Sequence, residues 1–441
     1  MQEELFKAGK IFLMLIFLAL FLSFQGCGGG GGSSDPIPDT GDGGDGSGDG
    51  DGDVDIYSGG VLITAETLKG WVDAGKVNGT GEGRVVILDV TSSTDYNAGH
   101  IPGAILVNAS ELYKTRNDGV ISNYNEVLDG PAMDVLVDKW GLDEYTTIVF
   151  TSATSTAGDA NAYLSTARAY YTFRYWGFAK DKLKILNGLN AAYSEEYGGL
   201  TTEVPVIVPA DNFGIRRFTN FGGCFRASLK DMIDLADGKI ANALAIDARG
   251  SDGPGGTAYS YDGDYKATSG VFSPLSGDYV AFEGHIKGAA ALSWTALFET
   301  IDTDGDGTAD YRRYLPEADL KSIFNGIGLD AAKTAYVYCR SGVIASSVLA
   351  ALEAINSDPN IKHKNYDGSW SEWGQLAGKE NGGYLENDSP WRTDMPSRTE
   401  NIAFNKDAGA LIEEPDTVDS DDPSGNRIEE YDVDYFDTKP T

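Results

Sequence analysis

The chain carries one unit twice. A β-rich run, Arg84-Val85-Val86-Ile87-Leu88-Asp89, is followed by Gly99-His100-Ile101-Pro102-Gly103-Ala104. Later, Ala243-Leu244-Ala245-Ile246-Asp247 is followed by Gly284-His285-Ile286-Lys287-Gly288-Ala289. The match continues with Gly141-Leu142-Asp143 against Gly328-Leu329-Asp330, and the glycine-to-glycine separations of 42 and 44 residues keep step. Self-similarity of this kind fixes the architecture before any single element is assigned.

Within each copy, short apolar β runs alternate with helical patterns. One helical pattern covers residues 160–175, and another covers 344–355 with Val348, Leu349, Leu352 and Ile355 on one face. Strands alternating with helices imply right-handed crossovers and a mainly parallel sheet covered on both faces. The expected fold is therefore α/β, two tandem domains of this type. In such sheets ligands bind beyond the carboxyl ends of the strands, which directs attention to the loops there.

Eleven residues after Gly328, the strand Thr334-Ala335-Tyr336-Val337-Tyr338 runs into Cys339-Arg340-Ser341-Gly342-Val343-Ile344 and then a helix. Eleven residues after Gly141, the first copy reaches Ser152. A cysteine between a strand tip and a helix N-terminus has backbone N–H groups and the positive helix end near it, and Arg340 adds a fixed charge. These effects favour the thiolate and lower its pKa below the free value of about 8.5. The same loop suits a persulfide anion, hence attack on a sulfane sulfur followed by delivery to an acceptor. Spacing alone leaves a second reading open, a buried strand-end cysteine without chemistry.

Composition narrows the classes further. The 441 residues include 34 Lys+Arg and 67 Asp+Glu, a formal charge of −33, which disfavours nucleic acid or an anionic membrane surface as a partner. Residues 35–55 hold eight Asp and no base, and residues 407–441 hold twelve acids against two bases, so the ends carry 18 of the 33 excess charges. Three cysteines cannot build a disulfide framework or a four-cysteine zinc site, and three histidines leave little for a His-rich metal centre.

The N-terminus reads as an address. Lys7 and Lys10 precede an apolar run at 11–24 that is short for a bilayer span, which needs about 20 residues. The ending Leu22-Ser23-Phe24-Gln25-Gly26-Cys27 resembles a bacterial lipobox, with Cys27 lipidated as the mature start. This implies an exported lipoprotein of the outer membrane, facing the periplasm or the cell surface. Residues 1–27 are thus a signal peptide and 28–56 a flexible Gly/Asp-rich tether. The remainder divides into a first domain at 57–205, a second at 206–380, and an extended acidic tail at 381–441. In that tail Ser389-Pro390-Trp391-Arg392-Thr393 is able to dock on the domains or on a protein partner.

From about residue 60 to 375 the chain resembles the tandem-domain rhodaneses, the thiosulfate and 3-mercaptopyruvate sulfurtransferases. The resemblance rests on Asp247-Ala248-Arg249, Gly284-His285-Ile286, the loop at 339–344 and Tyr366-Asp367-Gly368-Ser369-Trp370-Ser371-Glu372-Trp373. In the first copy it rests on Arg168-Ala169-Tyr170-Tyr171-Thr172-Phe173-Arg174-Tyr175-Trp176-Gly177 and Leu186-Asn187-Gly188. It implies a catalytic second domain with Cys339 as persulfide carrier, moving sulfur from a donor such as thiosulfate or 3-mercaptopyruvate to a thiol or cyanide. It also implies a first domain without the thiol, as Ser152 and Thr91 suggest. Arg340, Ser341, Gly342, Val343 and Ile344 form the active-site loop, and Asp247, Arg249, His285 and His100 are expected to hold strand ends and turns. No cofactor is expected for catalysis.

The loop departs from both family patterns. Thiosulfate sulfurtransferases resemble Cys-Arg-Lys-Gly-Val-Thr here and mercaptopyruvate enzymes Cys-Gly-Ser-Gly-Val-Thr; this chain keeps the arginine of one and the serine of the other, with Ile344 for Thr. The Gly-rich stretch 250–257 also lacks an arginine that the family often places there. Phosphoryl chemistry on a related loop needs an arginine six positions after the cysteine, where this chain has Ala345. A non-catalytic accessory lipoprotein of a sulfur, selenium or electron-transfer assembly is the alternative reading.

Two further features stand apart. Asp302-Thr303-Asp304-Gly305-Asp306-Gly307-Thr308-Ala309-Asp310 places Asp302, Asp304, Asp306, Thr308 and Asp310 at the spacing of a calcium loop, although Arg313 stands where a bidentate Glu is usual. A structural calcium ion is expected. Cys224 is expected to be a core residue that forms no disulfide with Cys339.

Overall fold

The computed structural model describes residues 57–58, 60–81, 83–117, 122–153, 159–210, 213–250, 285–286, 288–356, 363–376, 393–394 and 427–438. The signal segment with Cys27, the tether, residues 251–257 and 389–392 lie outside them.

Two parallel sheets carry the repeat. The first comprises β1 (Leu62–Ile63), β2 (Val85–Val90) and β3 (Ile105–Val107). It is followed by a hairpin of β4 (Tyr113–Asn117) and β5 (Ser122–Val127), and then by β6 (Thr147–Thr151) and β7 (Leu183–Leu186). All six residues of β2 are buried, as a central strand covered on both faces requires. The second copy runs β8 (Ala243–Asp247), β9 (His285–Ile286), β10 (Ala290–Ala291), the pair β11 (Phe298–Ile301) and β12 (Tyr311–Tyr314), β13 (Thr334–Tyr338) and β14 (His363–Asn365).

The sheet orders are β1-β7-β6-β2-β3 and β10-β8-β13-β14. Reading the second backwards, β14, β13, β8 and β10 stand for β7, β6, β2 and β3. A parallel bridge between Arg226 and Asn365 occupies the place of β1. Both copies also place a 3-10 turn and an antiparallel hairpin after the edge strand, Ala109–Leu112 before β4 and Trp294–Leu297 before β11.

The two halves meet helix against helix. Helix α1 (Ala162–Tyr175) follows β6, and helix α2 (Val343–Ile355) follows β13; the two pack on each other. The sequence pattern of α2 shows one apolar face, yet every residue from Ala345 to Ile355 is buried. Its second face is a stripe of small residues, Ser346, Ser347, Ala350, Ala351 and Ala354, where Ser346 Oγ accepts Asn365 Nδ2 of β14 at 3.1 Å. A helix enclosed all round no longer needs a polar side. Its one charged side chain, Glu353, takes Arg174 at 2.9 Å and His363 at 2.9 Å.

The expectation of an extended acidic tail is corrected over helix α4. Here α3 denotes Ser369–Leu376 and α4 denotes Arg427–Asp437. Helix α4 is docked: Ile428 and Phe436 are buried, and Asp432 is fully enclosed. Two charge-assisted bonds from Arg116, at 2.7 and 2.8 Å, fix Asp432. The Tyr175 hydroxyl adds a third at 2.7 Å. Upstream of α4, β15 (Thr393–Asp394) pairs antiparallel with β9, Thr393 opposite Ile286 and Asp394 opposite His285.

Candidate active site

Cys339 ends β13, and residues 339–344 turn the chain into α2. Gly342 sits at φ 72° before the first helical residue. A Cβ at Gly342 would lie 2.5 Å from Asp367 Cα, so the turn depends on glycine. The Ser369 hydroxyl pins the loop from below. It donates to Tyr366 O at 2.6 Å and accepts the backbone N–H groups of Cys339 at 3.1 Å and Gly342 at 2.9 Å. Trp370 N–H donates to Cys339 O at 3.2 Å and Ser371 N–H to Arg340 O at 2.8 Å.

The first copy keeps the frame and loses the chemistry. Asn190 N–H donates to Ser152 O at 3.2 Å, the counterpart of Trp370 and Cys339. Leu189, at φ 56°, stands where the second copy has Ser369 at φ 53°. The hydroxyl anchor is thus missing along with the thiol. Ser152 Oγ is turned to the carbonyls of Val90 and Ala153, at 3.0 and 3.1 Å.

Each domain lends its hairpin to the other's loop. Val127 N–H at the end of β5 donates to Asp367 Oδ2 at 3.0 Å, and Tyr314 N–H at the end of β12 donates to Asn187 Oδ1 at 2.9 Å. Asn125, at φ 62°, donates from Nδ2 to Ser341 Oγ at 3.1 Å, reaching the active-site loop directly.

Cys339 is a free thiol and is 1 % exposed. It opens on a cavity of about 330 Å³ walled by both domains: Tyr113, Tyr124 and Asn125 of the hairpin, Leu164 and Arg168 of α1, and the loop from Arg340 to Ile344. No carboxylate is among the described residues that line it. Cys224 is half-buried in the 3-10 turn Gly223–Phe225, not in the core as expected, and no bridge joins it to Cys339.

The supporting residues occupy structural posts. Asp247 accepts from Arg249 Nε at 2.9 and 3.2 Å, from Nη2 at 2.6 Å and from the backbone N–H at 3.1 Å. Burial works against the Arg249 charge, but Asp247, then Tyr338 and Cys339, raise its pKa above the ordinary value. The Arg249 guanidinium also lies 4.9 Å from the Trp370 ring centroid. His285 is buried in β9, whose Ile286 N–H donates to the Tyr338 hydroxyl at 3.0 Å. His100 stacks on Tyr96 at 3.7 Å between ring centroids.

Beneath the loop lies a charge cluster that is fully buried except for Glu429. Arg226 binds Asp367 at 2.7 Å, Glu126 at 3.1 Å and Glu429 of α4 at 2.7 Å. Burial opposes ionisation of Asp367, yet Arg226 holds its carboxyl below the usual range. Burial and the neighbouring Asp367 charge push Glu126 well above it. Burial likewise pushes Glu372 up to about 7.

The calcium-type loop forms the tip between β11 and β12. Carboxylate oxygens of Asp302, Asp304 and Asp310 lie within 4.8 Å of one another. Asp306 is outside this group; its Oδ1 accepts Thr308 N–H at 2.6 Å.

Ser369, Asp367, Arg226, Arg168 and Asn125 were not singled out as site residues from sequence. Ser369, Asp367 and Arg168 fall inside the family-like runs quoted above, which was the available signal. Arg226 and Asn125 carried none.

These features define a two-domain α/β protein with one thiol-bearing strand-to-helix loop in its second half. The rhodanese-like domain model matches residues 64–195 and 227–376. The chain belongs to the rhodanese-like domain family, in two tandem copies. It is 28% identical over 283 residues to the sulfur carrier protein TtuD of Thermus thermophilus, covering 64% of this chain and 85% of that one. It is 24% identical over 322 residues to a Haloferax volcanii protein named provisionally as a thiosulfate sulfurtransferase, covering 73% and 96%. Among solved structures, the anaerobic ergothioneine biosynthesis enzyme of Chlorobium limicola aligns with TM-score 0.51 at 16% identity, over 71% of this chain and 67% of that one. That likeness concerns the fold alone.

Proposed function

We propose that the protein is a sulfurtransferase in which Cys339 carries sulfane sulfur as a persulfide. The observation that carries this reading is a free thiol on a glycine-pinned loop at a helix N-terminus, facing a cavity that both domains wall. With thiosulfate, the Cys339 thiolate attacks the outer sulfur, the S–S bond breaks, and its electron pair leaves with sulfite. The product is the Cys339 persulfide anion. An acceptor thiolate or cyanide then attacks the outer sulfur and returns the Cys339 thiolate. With 3-mercaptopyruvate the C–S bond breaks instead, and the thiol proton passes to the carbon that becomes the methyl group of pyruvate.

The test is transfer from thiosulfate and from 3-mercaptopyruvate to cyanide, comparing wild type with Cys339→Ser. Thiocyanate formation that requires Cys339, with a persulfide mass on that residue, is expected. Absence of both rejects the enzyme reading in favour of a non-catalytic accessory protein, a reading favoured by the near-complete burial of Cys339.

Two further expectations belong to the same reading. Cys27 is the lipid anchor of an exported protein, tested by metabolic labelling with palmitate in wild type and Cys27→Ala. Asp302, Asp304 and Asp310, whose carboxylates converge at the hairpin tip, hold a structural calcium ion together with Asp306 and Thr308. Added calcium is expected to raise Tm, and a chelator to reverse it.

A further inference from the structure

The hairpin that walls the thiol is bulged, and its counterpart in the other copy is regular. In β4–β5 the register shifts between Lys114 and Arg116, where Thr115 faces two residues, Tyr124 and Asn125. Hairpin β11–β12, which reaches the copy without a thiol, pairs without interruption from Phe298 opposite Tyr314 to Ile301 opposite Tyr311. Consecutive residues of a regular strand point to opposite faces. Here Tyr124 and Asn125 both line the cavity onto which Cys339 opens. The extra residue re-aims them, a use of bulges that recurs beside active sites.

Asn125 is the residue that bends, at φ 62°. A non-glycine residue in that region persists only where its surroundings hold it. Arg168 Nη2 donates to the Asn125 carbonyl. On either side, Asn123 Nδ2 donates to Gly368 O at 2.9 Å and Val127 N–H to Asp367 Oδ2 at 3.0 Å. The anchored turn places Asn125 Nδ2 3.1 Å from Ser341 Oγ, across the domain boundary. An amide nitrogen only donates, so Ser341 Oγ accepts in that bond. The Ser341 hydroxyl proton has no acceptor among the described residues, although Ser341 lines the same cavity as Cys339.

We propose that Asn125 is a positioning residue for the sulfur anion of Cys339. Its bond to Ser341 Oγ commits that oxygen as an acceptor and turns the Ser341 O–H toward the Cys339 thiolate. Once sulfur is loaded, the same hydroxyl meets the outer sulfur, about 2 Å farther into the cavity. A donated hydrogen bond favours the anion over the thiol. This rests on the sulfurtransferase reading and adds to it a contact that the thiol-free domain controls. Ser341 makes the contact, and Asn125 acts only through it.

The thiol pKa of Cys339 reads this contact without any sulfur transfer. It is obtained in the full chain from the pH dependence of iodoacetamide alkylation, followed by the mass of the peptide that carries Cys339. Asn125→Gly keeps the left-handed backbone and deletes the amide, and it should raise the pKa by about one unit. Ser341→Ala should do the same. The two together should raise it no further, because they remove one and the same contact. Asn125→Asp is the second variant should glycine loosen the hairpin, since aspartate also tolerates this backbone. Its carboxylate accepts the Ser341 proton, reversing the bond, and adds a negative charge, so a rise of about two units is expected.

An unchanged pKa in both Asn125 variants overturns the proposal. So does a rise in Asn125→Gly that is equally large when Ser341 is already alanine, because the residue then acts on the hairpin and not through the hydroxyl. Alkylation that changes equally at every pH, the mark of altered access alone, overturns it as well. The expected shifts with no persulfide formed from either donor would support the positioning of the thiolate by Asn125 while rejecting sulfur transfer.

Discussion

The Ser369 hydroxyl accepts the backbone N–H of Cys339 at 3.1 Å, so the nucleophile's own peptide is held by a side chain from the following helix. The same oxygen accepts Gly342 N–H at 2.9 Å, closing the loop at both ends. Ser369→Ala removes an acceptor that two buried donors share. An orphaned donor costs about 1–3 kcal/mol, and partial rehydration limits the sum to about 2–4 kcal/mol. Urea unfolding of Ser369→Ala should show that loss, and persulfide loading on Cys339 should fall at least tenfold. Wild-type stability with wild-type loading would mean the hydroxyl does not shape the loop.

Gly342 supplies a sharper test of the same turn. Its φ of 72° disfavours any side chain, and an added Cβ would also meet Asp367 O at 2.9 Å. Both contacts are with backbone, which cannot swing aside. Gly342→Ala combines left-handed strain with overpacking, and a loss of about 2–5 kcal/mol is expected. Thermal unfolding reads it directly. An unchanged Tm would show that the loop adopts another conformation.

The repeat made the architecture legible, because two copies in step must form two sheets of one topology, and β7-β6-β2-β3 and β14-β13-β8-β10 do so. The loop at 339–344 was legible for the same reason, since its neighbours are local in sequence. What stayed hidden depends on pairing across long separations. Arg168 and Asn125 belong to the domain without the thiol, and the α1–α2 contact and the β4–β5 hairpin bring them to it. Acidic residues in α4 read as solvated because Arg116, which encloses Asp432, stands 316 residues away.

The α4 contact is a stability element. Asp432 is fully buried, and the Arg116 side chain is 8 % exposed. Removing one member of such a pair strands the other, at a cost of about 3–5 kcal/mol. Asp432→Ala should lower Tm and open the C-terminal segment to protease, whereas Arg116→Met with Asp432→Leu should recover much of the loss. If Asp432→Ala leaves both Tm and protease resistance intact, α4 does not dock through this pair.

Glu372 gives the cluster beneath the loop a pH signature. Burial raises its pKa to about 7, and Asp367 and Glu429 add to the rise while Tyr366 and Arg226 oppose it. An acid whose folded pKa exceeds its unfolded value of about 4.3 contributes stability that is complete below the lower value. That stability is lost as pH rises through the higher value, because the folded state then gives up a proton it holds more tightly than the unfolded chain. The window is therefore about pH 4.3 to 7, and wild type should lose about 2–4 kcal/mol across it from this group. Glu372→Gln cannot titrate. Its unfolding free energy, measured in urea at pH 5, 6, 7 and 8, should fall less steeply than that of wild type. Glu126, which the Glu372 charge also pushes up, remains in both proteins. Parallel curves for the two proteins would place Glu372 in its ordinary ionised state and leave the cluster without this proton.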